Sequence, residues 1–88
     1  MNYNVVYSEQ LLKKFEKLAK KDKRQLGAVY KKIRRVLDDP YHFKPLRGDK
    51  KGSRRVHIGS FVLIYEIKEN KNLVKFLDYD HHDKIYTS

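Results

Sequence analysis

The chain is 88 residues long and carries 21 Lys and Arg against 11 Asp and Glu, a formal charge of +10. A chain of this size buries only about 60–65% of the surface it would expose unfolded, which means one domain, residues 1–88, with little room for an internal cofactor cavity. A 40% hydrophobic content with seven Tyr and four Phe argues against disorder, and the absence of Cys excludes a disulfide framework, a thiolate zinc site and a Cys nucleophile.

In chain order, Tyr3, Val5 and Tyr7 alternate with Asn4, while Val6 breaks strict polarity. This predicts a short strand with both faces at least partly covered. Ser8 offers an N-cap, and Leu11, Leu12, Phe15, Leu18 and Ala19 then line one helical face. Asp22 with Gln25 three residues on reads as a capping box, followed by a stripe of Leu26, Val29, Tyr30, Ile33 and Leu37. Pro40 ends that second helix. Residues 41–52 form a basic, turn-rich loop. Strands are expected over 54–58 and 61–67 around a two-residue Gly59-Ser60 hairpin turn, and over 73–79 after a polar turn. The fold class is therefore α+β with the order β-α-α-β-β-β. A helical hairpin covers one face of a small, mostly antiparallel four-stranded sheet.

Charge is concentrated between residues 44 and 57, where Lys44, Arg47, Lys50, Lys51, Arg54 and Arg55 face a single acid, Asp49. Such clustering suits neutralisation of phosphates and points to nucleic acid, with a merely solvated basic face as the bland alternative. The longest apolar run, 61–65, is far short of a membrane span. The first five residues show no basic or apolar leader, so a cytoplasmic location is expected.

Period-two geometry directs Val56 and Ile58 towards the helices and Arg55 and His57 to the opposite face. Phe61, Leu63, Tyr65 and Ile67 are expected inward, with Val62 and Ile64 on the His57 face. The last strand is followed by Asp80-His81-His82-Asp83-Lys84-Ile85-Tyr86, which could converge with the basic loop on the helix-free face. RNA cleavage without a metal needs a base for the ribose 2′-hydroxyl, an acid for the departing 5′-oxygen and cations on the phosphorane. Imidazole serves either proton role near neutral pH, and an aromatic ring can hold an unstacked base. As a zinc site, the His81-His82-Asp83 run lacks a third ligand spaced for closure. Arg54 shares the parity of Val56 and reads as an edge residue, and His81 cannot easily share a face with His82.

The element order, the 44–48 loop Lys-Pro-Leu-Arg-Gly, the strand Arg55-Val56-His57-Ile58 and the strand Phe61-Val62-Leu63-Ile64-Tyr65-Glu66-Ile67 resemble the RelE/ParE toxin superfamily. The histidines make the chain most similar to the YafQ-like mRNA interferases. That resemblance implies a ribosome-dependent mRNA endonuclease of a type II toxin–antitoxin pair, with no metal cofactor. Its implied partners are mRNA, the ribosome and an antitoxin carrying an acidic, amphipathic segment. It implies catalytic roles for His82 and His57, charge stabilisation by Lys44 and Arg55, and base stacking or phosphate orientation by Tyr86. RNA contacts are expected from Arg47, Lys50, Lys51, Arg54 and His81. Lys44 stands where the YafQ pattern has a histidine, Val62 where RelE has an arginine, and the YafQ aspartate before the central strand is missing. A ParE-like gyrase inhibitor on the same fold, and a decayed RNA- or ribosome-binding module, remain the rival readings.

Overall fold

The computed structural model describes residues 3–46 and 52–87, without the side chains of Tyr86 and Thr87. Strand β1 (Asn4–Tyr7) leads into helices α1 (Glu9–Lys21) and α2 (Lys23–Asp38), and strands β2 (Arg54–Ile58), β3 (Phe61–Lys68) and β4 (Leu73–His81) follow. A helix not expected from the sequence, α3 (His82–Thr87), closes the order. The sheet runs β1-β4-β3-β2, with β1 parallel to β4 and the other pairs antiparallel. The expected β-α-α-β-β-β architecture is present, with the helical hairpin on one face.

Local chemistry accounts for the helix boundaries. The Ser8 hydroxyl accepts from the Leu11 N–H at 3.1 Å, and the Asp22 carboxylate accepts from the Gln25 N–H at 3.0 Å. The reciprocal half of the expected capping box is not made, because the Gln25 amide donates to the Tyr79 hydroxyl at 2.7 Å. That contact ties α2 to the sheet instead.

Leu11 and Phe15 of α1 and Val29, Ile33 and Val36 of α2 meet Val56, Ile58, Leu63, Tyr65, Val74, Phe76 and Tyr79 in one core. Burying each such side chain contributes roughly 1.5–3 kcal/mol. Three expectations are corrected here. Leu12 is 45% exposed because the stripe at 11, 15 and 18 already fills the contact with the sheet. Tyr30 is 42% exposed and meets Phe15 edge-on, whereas Val36, absent from the expected stripe, is fully buried. Val6 is 42% exposed, so one face of β1 is open to solvent.

β4 contains a bulge. Ile64 pairs with Asp78 but Tyr65 pairs with Phe76, which leaves Leu77 as the extra residue. Its carbonyl accepts from the Ser8 hydroxyl at 2.6 Å and from the Gln10 amide at 3.3 Å, so the cap of α1 also clamps the bulge. The shift of parity lets Phe76 and Tyr79 both enter the core and sends the even-numbered positions after it, ending at His82, to the opposite face.

Val62 and Ile64 lie outside the main core yet are 0% and 6% exposed. The face expected to be free of helices carries α3, which packs against β3 and β4. No helix among the described residues is long and apolar enough to cross a membrane.

Candidate functional site

β2 is an edge strand, and its outer edge is partly covered by the returning loop. Pro45 bridges to Arg54, the Arg55 N–H donates to the Lys44 carbonyl at 3.0 Å, and the Leu46 N–H donates to the Ser53 carbonyl at 2.7 Å. This short pairing sets Lys44 beside Arg55. The Arg55 guanidinium donates to the Pro45 carbonyl at 2.6 Å, which fixes its stem against the loop.

The turn before Lys44 is anchored from the core. Burial pushes the Tyr65 hydroxyl up to about 12, so it stays protonated and donates to the Pro40 carbonyl at 2.6 Å. Arg54 donates to the Phe43 carbonyl at 2.7 Å and lies over the Tyr41 ring, 5.1 Å from its centroid. The Tyr41 hydroxyl in turn donates to the Glu69 carboxylate. Arg54 therefore holds the loop rather than facing the His57 side.

His57 and His82 come together. Their rings stack with centroids 5.7 Å apart and planes 29° from parallel. Two features deliver His82: the β4 bulge sets its face, and its N–H donates to the Ser60 carbonyl of the β2–β3 turn at 2.8 Å. Gly59 makes that turn with φ of +61°, a left-handed conformation disfavoured for side chains. The tail is thus a helix start from His82 onward. Tyr86 falls in α3 four residues after His82, and its side chain lies outside the described residues.

His81 points the other way. Its ring packs edge-on against Phe61 with centroids 5.5 Å apart, and its Nδ1 accepts from the Asp83 N–H at 3.2 Å. It caps the start of α3. Asp83 sits 3.7 Å from both imidazoles through its two oxygens. Upstream, Lys14 of α1 donates to Asp78 at 2.7 Å, to Asp80 at 3.0 Å and to the Tyr79 carbonyl at 3.0 Å, pinning the end of β4. Burial works against ionisation of Asp80, but hydrogen bonds from Lys14 and the His81 N–H overcome it and hold the carboxyl below its ordinary value.

Partial burial, then the Arg55 charge, then His82 lower the His57 pKa from 6.5. The neutral form of His57 is favoured at pH 7, and two imidazoles this close resist carrying protons together.

Beside the pair, an open cleft of about 490 Å³ is lined by Lys32, His42, Phe43, Lys44, Arg55, Val56 and His57. Of the sequence candidates it gathers Lys44, Arg55 and His57. It also gathers Lys32 and His42, which the sequence reading passed over. The available signal was a fourth histidine two residues before Lys44. Arg47, Lys50 and Lys51 lie outside the described residues. Val62, where the RelE pattern has an arginine, is fully buried and pairs with His57, so no cation comes from that position. No group of three or more His, Cys, Asp or Glu among the described residues converges as a metal site.

Comparison with known proteins adds the family. The model of the ParE toxin of type II toxin–antitoxin systems matches residues 5–86. A Methanocaldococcus jannaschii protein named "Putative toxin RelE4" is 42% identical over 85 residues, spanning 96% of this chain and 90% of that one. A mutant of the E. coli toxin RelE in its free state superposes with a TM-score of 0.78 at 23% identity, covering 99% of this chain and 93% of that one. The E. coli DinJ–YafQ toxin–antitoxin complex gives 0.73 at 24% identity, with 98% and 99% covered. At these identities the two structures speak to the fold alone, while the family match and the archaeal relative span nearly the whole chain. The chain belongs to the RelE/ParE family of type II toxin–antitoxin toxins.

Proposed function

We propose that this toxin is an mRNA endonuclease that acts on the ribosome and cleaves by attack of a ribose 2′-hydroxyl on the adjacent phosphate. The observation that carries the reading is the His57–His82 stack at the mouth of a cationic cleft. His57, biased to its neutral form, accepts the 2′-hydroxyl proton, and His82 donates to the leaving 5′-oxygen. Arg55 and Lys44 meet the charge that develops on the phosphorane. Arg55 thereby acts twice, on the phosphate and on the pKa of the base. The products are a 2′,3′-cyclic phosphate and a free 5′-hydroxyl. Tyr86 is the residue assigned to stack on a base or orient the phosphate, on the strength of the family resemblance.

The partner follows from charge and from the family. The YafQ neighbour was solved as a complex with DinJ, and a formal charge of +10 favours an antitoxin with an acidic, amphipathic segment. Expression from a tight promoter, with mRNA 5′ ends mapped on translating ribosomes, tests the reading. Codon-phased cuts are expected, and His82→Ala should reduce them about 10²- to 10⁴-fold, the usual worth of a positioned acid. Growth arrest with intact mRNA and damaged DNA would instead mark a gyrase inhibitor. RNA affinity without toxicity would mark a binding module.

A further inference from the structure

Resting on the nuclease reading, one feature of the cleft reaches beyond the scissile phosphate. Val56 turns towards the helices while Arg55 and His57 turn away from them, yet all three line the same cleft. The cleft therefore wraps around the β2 edge of the sheet, from the imidazole pair on one face to Lys32 of α2 on the other. His42 stands on this far wall, carried by the turn that Arg54 and Tyr65 hold in place. His57 lines the cleft and His82 does not. With His57 at the attacking 2′-hydroxyl, the strand that enters the cleft is the one on the 5′ side of the cut.

We propose that Lys32 and His42 form a second phosphate subsite, which takes the phosphate on the 5′ side of the nucleotide whose 2′-hydroxyl attacks. Lysine supplies a point charge and imidazole an N–H donor, the two complements a phosphodiester oxygen needs. The neighbouring hollow, which shares His42 and Phe43, is lined by Asp38 and Asp39 as well as Arg35. Its carboxylates repel a further phosphate, so the run of favourable charge ends at His42. The subsite holds one phosphate and keeps the upstream product after cleavage.

The test uses the full toxin on ribosomes programmed with an mRNA whose attacking 2′-hydroxyl is replaced by hydrogen, so that binding is read without cleavage. A second mRNA carries in addition a neutral methylphosphonate at the upstream phosphate. Wild-type toxin should bind the second mRNA about fivefold more weakly than the first, the scale of one exposed charge contact. Lys32→Ala with His42→Ala should bind both equally, and Lys32→Arg should restore most of the difference. Equal fold-losses in wild type and double variant would overturn the subsite, as would no loss in either. Failure of wild-type toxin to cut the unmodified mRNA would overturn the nuclease reading separately, since the binding difference does not depend on the cut.

Discussion

The two faces of the sheet use the same alternation of side chains for opposite ends. On the helix side of β2 and β3, Val56, Ile58, Leu63 and Tyr65 disappear into a core shared with α1 and α2. On the other side, Arg55 and His57 stay accessible above a small buried floor of Val62 and Ile64. One strand thus stabilises the domain with every second residue and offers the residues between to the candidate site. The separation is not complete. Tyr65, Arg54 and Ser8 are anchored on the core side yet hold the turn and the bulge that shape the site.

That contrast can be broken by substitution. Leu63→Ala, deep on the core side, should cost about 2–5 kcal/mol in denaturant unfolding, while cleavage per folded molecule stays near wild type. A large loss of specific activity in the folded fraction would show that the faces are not independent. Tyr65→Phe tests a residue that serves both. Leaving the Pro40 carbonyl without its buried donor should cost about 1–3 kcal/mol and also weaken RNA binding, because the Lys44 and His42 wall loosens. A stability loss with unchanged binding would remove Tyr65 from the support of the site.

The smallest effect concerns pH. In the proposed mechanism His57 accepts a proton, and its pKa is lowered, so activity should fall as pH drops through a value below 6.5. Arg55→Ala removes one cause of the lowering. The acid limb of kcat/KM should therefore move up towards 6.5, in addition to any loss of rate. An unmoved limb would mean that Arg55 does not tune the base.

Much of this was readable from residue spacing. Alternation in 54–58 and 61–67 placed Val56 against the helices and His57 away from them, because a strand's period admits only two faces. Helix caps at Ser8 and Asp22 and the stop at Pro40 were equally local. What spacing could not show was the bulge at Leu77, which inverts the parity of everything after it and aims His82 at His57. A bulge depends on pairing with β3 and on the distant Ser8 clamp, so nothing near residue 77 announces it. The short helix α3 was missed for a related reason. Six residues are too few for a helix to persist on propensity alone, and this one is held by the Ser60 carbonyl and the His81 ring. The placement of His42 in the cleft required the loop to fold back along β2, a tertiary pairing that the basic composition of 41–52 does not encode.

The shared role of the two imidazoles is tested most directly by single-turnover cleavage with His57→Ala, His82→Ala and the double variant on the same programmed ribosomes. Each single change should cost at least about 10²-fold, and the double should cost little more than the worse single, as for residues that act as a unit. Near-wild-type cleavage by either single variant would contradict the pairing on which the chemistry depends.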